Sequence, residues 1–340
     1  MIKMQNDEEK RMKKFVTAVF AVLSIVMICA LALAACADDA LPLPEEESLS
    51  AVLEEGGYEL VWGDEFNDDS IDHTKWRVGY DTPARRAGWY TDASDVVFEK
   101  DGALTIRTQY KQDGEYGAGW YTSWLDSATG YTQETSQMVH SADYQGFAAK
   151  YGYFEIRCIA PPCTGIWSAF WMMPDGDAAG MSENDVKGTG ADGLEVDVME
   201  SPYHAWGNSY NVHVVHGEGY SDTRSDRSAT YEVPNMYSEY HTYGVLWTEK
   251  EYVFFIDGGE TWRTSYSPDG ETLGVAQVEE YLLLTVEVAG YEDENGALHP
   301  GVTLEDGVEV PYWCGDPNEN DKNKTYDFVI DYVRVYQKAN

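Results

Sequence analysis

The sequence predicts an all-β fold built as a two-sheet antiparallel sandwich. Beyond residue 58, short runs rich in β-branched and aromatic residues alternate with turns of Gly, Asp, Asn and Pro. Residues 251–256 and 261–264 flank Asp257-Gly258-Gly259, which is a typical hairpin signal. Amphipathic helical patterns are scarce after the first 35 residues, so sheets packed face to face are the expected core. The clearest predicted strands are 104–106, 153–156, 210–215, 282–288 and 327–336.

Size and charge limit the classes of partner. With 340 residues, of which 43% are hydrophobic, the chain can bury a large core, and we expect a single domain over 58–340. The net charge of -37 disfavours nucleic acids and anionic membrane surfaces, because the overall field repels polyanions. No feature of the sequence indicates an obligate protein partner.

The first 57 residues read as a targeting segment and a tether. Residues 1–35 combine a basic start with an apolar run over 15–33, and Leu33-Ala34-Ala35 precedes Cys36. This resembles a bacterial lipoprotein signal, with cleavage before Cys36 and lipid on its sulfur; a plain transmembrane anchor is the alternative. Residues 36–57 are acidic and rich in Pro and Gly, as in a tether. Both interpretations predict an exported domain, and the first predicts a membrane-anchored lipoprotein at the cell surface.

Three cysteines remain after the signal and Cys36. They are Cys158, Cys163 and Cys314, an odd number that allows one disulfide and one free thiol, with the pair left open. Paired C-x-x-C spacing is absent from the sequence, so we do not predict a zinc site.

A strand with three acids is the main candidate for catalysis. In Glu195-Val-Asp197-Val-Met-Glu200, side-chain alternation places Glu195 and Asp197 on one face. Glu200 reaches that face only if one residue, Val198 or Met199, is bulged. Crowded carboxylates of this kind suit glycoside hydrolysis, whereas the alternative is a solvated strand edge with alternating charge.

Aromatic residues are frequent near turns and strand ends. Sugars present apolar C–H faces, so flat rings beside carboxylates suit them, although each ring alone is better explained by the sandwich core. Trp167 lies close in sequence to the acidic strand and follows Gly165-Ile166, so we predict a cleft position for it.

Several segments together resemble glycoside hydrolase family 16, in the E-x-D-x-x-E variant typical of laminarinases and agarases. The resemblance covers roughly 58–338, and its motifs occur in the family's order. Apart from 195–200, they are Leu60-Val-Trp-Gly-Asp-Glu-Phe66, Lys100-Asp-Gly-Ala-Leu-Thr-Ile106, Tyr151-Gly-Tyr-Phe-Glu-Ile-Arg157, Gly165-Ile-Trp-Ser-Ala-Phe-Trp-Met172, His241-Thr-Tyr-Gly-Val-Leu-Trp247 and Asp331-Tyr-Val-Arg-Val-Tyr336.

This resemblance implies a concanavalin A-like jelly-roll sandwich with a concave substrate cleft and a retaining mechanism. Glu195 is then the nucleophile, Glu200 the general acid/base and Asp197 the helper between them. A nucleophile must be ionised and an acid must hold a proton, so the division of roles is chemically coherent.

The resemblance also assigns binding residues. Trp167, Trp171 and His213 match residues that contact sugar, with His216 as a competing match for the histidine. No cofactor is needed for catalysis, but a structural calcium ion on the convex face is implied, with Glu65, Gly102 and Asp331 as its contributors, partly through backbone oxygens.

Two departures from the family pattern leave the glycan open. The segment Arg85-Arg86-Ala-Gly-Trp-Tyr90 stands where many β-glucanases carry an Asn-Glu-x-Gln pattern, and residues 291–324 read as an insertion. Our hypothesis is a retaining endo-glycosidase for a neutral β-linked polysaccharide, first a β-1,3- or β-1,3(1,4)-glucan. The alternatives are an agarose-type galactan hydrolase, a transglycosylase, and a non-catalytic surface protein that binds carbohydrate.

Overall fold

A computed structural model describes most of the chain after the tether. The chain divides into two units, Met1–Ala40 and Leu41–Asn340, and every described residue belongs to the second. The predicted signal, Cys36 and His216 lie outside the described residues, as do the side chains of 202–229. The described residues are 49–129, 138–175, 193–201, 209–214, 225–227, 230–265, 274–292, 298–299, 301–303, 309–311 and 314–339.

Strands form nearly all of the regular structure. One helix, α1 (Leu49–Gly56), precedes them, and a 3₁₀ turn covers Pro317–Glu319. The strands are β1 Tyr58–Asp64, β2 Arg77–Val78, β3 Ala84–Arg85, β4 Gly88–Tyr90, β5 Val97–Lys100, β6 Ala103–Lys111, β7 Gly119–Thr122, β8 Trp124–Asp126, β9 Ala148–Ala149, β10 Gly152–Ile159, β11 Ile166–Pro174, β12 Leu194–Ser201, β13 Ser209–Val214, β14 Ser225–Arg227, β15 His241–Trp247, β16 Tyr252–Ile256, β17 Gly259–Thr264, β18 Glu280–Val288, β19 Tyr291–Glu292, β20 Leu298–His299, β21 Gly301–Thr303, β22 Glu309–Pro311 and β23 Thr325–Lys338.

Two large sheets form the predicted sandwich. The first has the order β17-β16-β15-β10-β23-β6-β7-β4-β3, with β1 also paired to β23 and β5 to β6. The second has the order β14-β13-β12-β11-β18-β8-β2, with β9 paired to β18. Apart from the parallel pair β4–β7, the described pairs are antiparallel. The jelly-roll fold class is therefore confirmed.

The core lies between the inner faces of the two sheets. Phe154 and Val245 from the first sheet meet Phe170 and Leu284 from the second, and all four side chains are 0% exposed. Since side chains alternate along a strand, the outer face of the second sheet is left free to carry polar groups.

The predicted hairpin is present between β16 and β17. Ile256 pairs with Gly259, and the two turn residues Asp257 and Gly258 have φ angles of 50° and 81°. Positive φ at both central positions is the requirement of the tight turn that Asp-Gly favours.

Helix α1 corrects the predicted extent of the tether. We expected little of 36–57 to form a core, and one residue of it, Leu49, is buried with Tyr153, Val253 and Phe255 of the first sheet. Leu53 packs against the same cluster, because residues four apart share one face of a helix. No helix among the described residues is long and apolar enough to cross a membrane.

Candidate active site

A β-bulge in β12 brings the three predicted acids together. Against β11, Glu200 pairs with Ala169 but Asp197 pairs with Trp171, so three steps on β12 match two on β11. The same irregularity appears against β13, where the register shifts between Asp197 and Glu200. The extra residue restores Glu200 to the face of Asp197, as the sequence predicted for a bulge at Val198 or Met199.

The three carboxylates line one pocket on the outer face of the second sheet. Val196, Val198 and Met199 belong to the core cluster on the other side and are 0% exposed. Asp197 is buried, whereas Glu195 and Glu200 are half-buried. The pocket is lined by Arg85, Arg86, Trp167, Ala169, Trp171, Glu195, Asp197, Glu200, Thr285 and Glu287.

Trp171 stands beside the acids in a fixed orientation. Its indole Nε1 donates to Oγ1 of Thr285 at 3.0 Å, and its ring meets Trp124 edge-on with centroids 5.3 Å apart. The ring is half-buried. The structure thus places this predicted sugar-binding residue where an apolar ring faces the pocket.

Trp167 also lines the pocket, but it is more enclosed than a simple sugar platform. Its side chain is 5% exposed, and the Arg86 guanidinium lies over its ring at 5.1 Å from the centroid. On the other side it packs with Ala289 and Cys314. Cys314 belongs to the predicted insertion, so part of that segment borders the site.

An ion-pair cluster that sequence analysis missed is centred on Glu287. This residue is buried and pairs with Trp167 across β18 and β11. Arg85 Nη2 donates to Glu287 Oε1 at 2.9 Å, and Arg86 Nε donates to Glu287 Oε2. Burial lowers the pKa of Arg85, but the Glu287 carboxylate more than offsets this and leaves that pKa above its ordinary value. Arg85 therefore stays charged while bound to this carboxylate.

The ring contacts of Arg85 hold the cluster against the sheet. Its guanidinium lies 5.1 Å from the Trp124 ring centroid and 5.2 Å from that of Tyr80, a cation–π geometry. The sequence does contain one indication of a role for Glu287. It lies two residues after Thr285 in an otherwise apolar strand, so both polar side chains are on one face of that strand.

The predicted histidine is placed only through its backbone. His213 lies on β13, the strand that follows the acidic strand, and pairs there with Glu195 of β12; its contact with sugar stays a prediction. Its side chain lies outside the described part of the structure, as does the competing His216.

The predicted calcium ligands do not fit a metal site through their side chains. Both carboxylate oxygens of Glu65 accept hydrogen bonds from Arg334 at 2.8 Å, and Asp331 accepts from Arg157 at 2.5 Å. Gly102 offers a backbone oxygen only, from a turn where its φ is 80°. Within the described residues, no group of three or more His, Cys, Asp or Glu side chains is arranged to hold a metal. Binding through backbone oxygens alone stays a prediction.

Comparisons with known proteins agree with this geometry. The family model "Glycosyl hydrolases family 16" matches residues 85–297. The chain is 26% identical over 305 residues to the glucan endo-1,3-beta-glucosidase A1 of Niallia circulans, covering 83% of this chain but 38% of that protein. It is 26% identical over 293 residues to the beta-glucanase of Rhodothermus marinus, covering 82% and 85% of the two chains.

A solved structure gives the same assignment. The catalytic domain of an endo-1,3-beta-glucanase (laminarinase) from Thermotoga petrophila RKU-1 superposes with a TM-score of 0.58 at 25% identity, covering 83% of this chain and 99% of that one. The family model matches more than half of the chain and includes β12 with its three acids. The protein therefore belongs to glycosyl hydrolase family 16.

Proposed function

We propose that this protein is a retaining endo-glycosidase that hydrolyses a neutral β-linked glucan. The observation that carries the proposal is the bulge at Val198, which brings Glu195, Asp197 and Glu200 into one pocket. A retaining glycosidase needs two carboxyl groups about 5–5.5 Å apart, one on each side of the scissile bond. Glu195 and Glu200 flank Asp197 on one face of β12 and line the same pocket, so both carboxyl groups that the mechanism needs belong to one site.

The proposed reaction is a double displacement. The Glu195 carboxylate attacks the anomeric carbon while Glu200 gives its proton to the departing glycosidic oxygen, which forms a covalent glycosyl-enzyme. Glu200, now ionised, removes a proton from water as that water attacks the same carbon and releases Glu195. Asp197 lies between the two on the same face and is buried, so its role is to orient and modulate both groups.

The aromatic and polar lining supports a sugar as the occupant. Trp171 offers a half-buried ring beside the acids, while Thr285 fixes its indole nitrogen. Apolar rings next to fixed polar groups suit a pyranose, which has apolar faces and a polar rim.

Charge and relatives support a neutral glucan. Arg85 and Arg86 both bind Glu287, so their charge is partly matched within the pocket. The net charge of -37 opposes the approach of a polyanion. One relative is named for a 1,3-β-glucan and another for a β-glucan, which favours a β-1,3- or β-1,3(1,4)-glucan here, whereas a galactan of the agarose type is the second choice.

Export and anchoring are part of the same proposal. We infer that the chain is processed before Cys36 and held at the cell surface by lipid on that residue, so that it meets a polysaccharide outside the cell. Lipid anchoring requires more than one acyl chain for stable attachment. Mass spectrometry of the mature protein tests this: an unmodified Cys36, or a mature chain that still begins at Met1, would refute it.

A reducing-end assay tests the activity. We expect new reducing ends from laminarin or mixed-linkage β-glucan, with medium-length products early in the reaction. The Glu195→Gln variant is the matched control and should release none while still binding the glucan. Analysis of the products in excess oligosaccharide separates hydrolysis from transglycosylation. If the wild-type protein binds glucan but does not cleave it, the proposed hydrolase function is wrong and the non-catalytic carbohydrate-binding function is favoured.

A further inference from the structure

A carboxyl group that plays no part in the proposed reaction lies buried beneath the start of the catalytic strand. Glu280, the first residue of β18, is 0% exposed. Its Oε1 accepts a hydrogen bond from the backbone N–H of Leu194 at 3.0 Å. Leu194 is the first residue of β12 and directly precedes Glu195.

The backbone of the central sheet explains why Leu194 needs this contact. Between β11 and β12, the described pairing ends at Met172 and Val196, although both strands run two residues further, to Pro174 and Leu194. On the other side of β11, Glu280 of β18 pairs with Pro174, so the Glu280 side chain must extend past β11 to contact β12. The Glu280 carboxyl oxygen thus accepts the hydrogen bond of the Leu194 amide beyond the end of the β11–β12 backbone pairing.

The space around this contact is closely packed. A Cβ atom on Gly193 would come within 2.1 Å of Cγ of Pro174 and 3.3 Å of Cγ2 of Val278. Gly193 has a φ of 119°, so the chain enters β12 through a turn that favours glycine. The entry to the strand is therefore confined by packing on one side and held by Glu280 on the other.

We propose that Glu280 is a positioning residue that, as a neutral carboxylic acid, holds the start of β12 and thereby places the nucleophile Glu195. The proposal rests on the proposed function of Glu195. Among the described residues, Glu280 Oε2 has no hydrogen-bond partner and is fully enclosed. A protonated acid can leave its hydroxyl there at moderate cost, whereas an ionised carboxylate cannot remain without a cation or water.

Burial supports the neutral form near pH 7. It raises the pKa of Glu280 to about 8, against the opposing effect of the Leu194 hydrogen bond. On β16, burial raises the pKa of the Tyr252 phenol, and an ionised Glu280 would raise that pKa further. The Tyr252 oxygen accepts from Ala276 N at 2.9 Å.

Within the part of the chain that the structure describes, charged residues on the adjoining elements do not neutralise the group. Asp175 follows Pro174 on β11 and bears the same sign, as does the exposed Glu279. Lys150, next to the β9 strand, is exposed and lies 5.3 Å from the Tyr151 ring centroid. Ionisation of Glu280 would therefore create an uncompensated charge, and relief requires water or movement of the side chain away from Leu194.

The proposal is tested by the pH dependence of kcat/KM for the glycosylation step, in particular by its decline at alkaline pH (the alkaline limb). The substrate is an aryl β-glycoside of the oligosaccharide that the enzyme cleaves. Its leaving group needs no protonation, so the ionisation of Glu200 does not contribute to the alkaline decline in rate. For the wild type, kcat/KM should fall about tenfold per pH unit above the pKa of Glu280. Glu280→Gln keeps an oxygen acceptor for the Leu194 amide but cannot ionise. Its kcat/KM at pH 6 should therefore be close to that of the wild type, and the alkaline decline of kcat/KM should begin at a pH at least one unit higher.

Two control variants separate positioning from general damage. Glu279→Gln changes an exposed neighbouring carboxyl and should leave the whole profile unchanged. Glu280→Leu removes the acceptor and should lower kcat at every pH with little change in KM. Identical alkaline limbs for the wild type and Glu280→Gln would overturn the proposal, as would a Glu280→Leu variant with wild-type kcat.

Melting temperatures give a readout that does not need activity. Because the pKa of folded Glu280 is raised, its contribution to stability is full below the ordinary glutamate pKa and is lost as the pH rises through about 8. The wild type should therefore lose melting temperature relative to Glu280→Gln between pH 6 and 9. A loss of this kind with unshifted rate profiles would also overturn the positioning role. Absence of any glycan cleavage by the wild type would instead reject the proposed function, and this inference with it.

Discussion

Asp197 and Glu200 are three residues apart, yet both side chains line one pocket, because the register of β12 against β11 shifts between them. The residues between them, Val198 and Met199, both belong to the core. A regular strand would have sent Glu200 to the opposite face, into the apolar interior between the sheets. The bulge therefore lets β12 pack Val198 and Met199 into the core while it brings the three acids into one pocket.

Glu200 and Asp197 differ in what their removal should do. Glu200→Gln should lower kcat on a polysaccharide by about 10²–10⁴-fold, because the leaving oxygen loses its proton donor. The loss should be much smaller on an aryl glycoside with an activated leaving group. Asp197→Asn should reduce both rates less than Glu200→Gln does on the polysaccharide. Equal losses on both substrates for Glu200→Gln would contradict the acid role.

The Glu287 cluster should contribute measurably to stability. Replacing Glu287 with Gln leaves Arg85 and Arg86 without their shared carboxylate, and we expect the free energy of unfolding to fall by about 1–3 kcal/mol. Glu260→Gln is the control, because it removes an exposed ion pair with Arg263 and should cost less than about 1 kcal/mol. Urea unfolding of both variants measures the difference. Equal effects would show that the buried cluster is not structurally important.

How far the sequence predicted this site depends on whether the contacts are local or distant in sequence. The carboxylates share one strand, so alternation and a single bulge were enough to bring them together. Arg85 and Glu287 are 202 residues apart in sequence, and their pairing depends on how β3 of the first sheet comes to lie beside β18 of the second. No local pattern contains that information.

Helix α1 also depends on contacts that are distant in sequence, so its local sequence did not predict it. Its sequence Leu-Ser-Ala-Val-Leu-Glu-Glu-Gly spans two turns, and the acidic surroundings made it read as tether. Only the first sheet, which buries Leu49, supplies the apolar surface that stabilises so short a helix.

The three cysteines should resist chemical labelling in the folded protein. Cys158, Cys163 and Cys314 are thiols in the structure and are at most 1% exposed. Burial raises the pKa of each thiol, so the reactive thiolate is scarce at neutral pH. We expect no alkylation by iodoacetamide at pH 7.5 in buffer and three modifications in denaturant. Fast labelling of the native protein would contradict this burial, and fewer than three modifications after unfolding would show that a disulfide forms.

Salt dependence should distinguish neutral from sulfated substrates. We expect the rate on a neutral glucan to change little between about 20 and 200 mM salt, because no charge on the substrate is there to be screened. Sulfated galactans such as carrageenan or porphyran should be poor substrates at low salt, given the net charge of -37. Fast cleavage of a sulfated galactan, with laminarin, mixed-linkage glucan and agarose untouched, would show that Arg85 and Arg86 outweigh the overall field.

The most direct test of the account is to trap the covalent intermediate. A 2-fluoro-substituted glycoside with a good leaving group slows both steps but lets the glycosyl-enzyme accumulate, because the leaving group offsets the slower first step. We predict one added fluoroglycosyl unit per chain, located by peptide mass spectrometry on Glu195 and absent from Glu195→Gln. An adduct on Glu200 or any other residue, or continued turnover with no adduct, would contradict the assignment of Glu195 as the nucleophile.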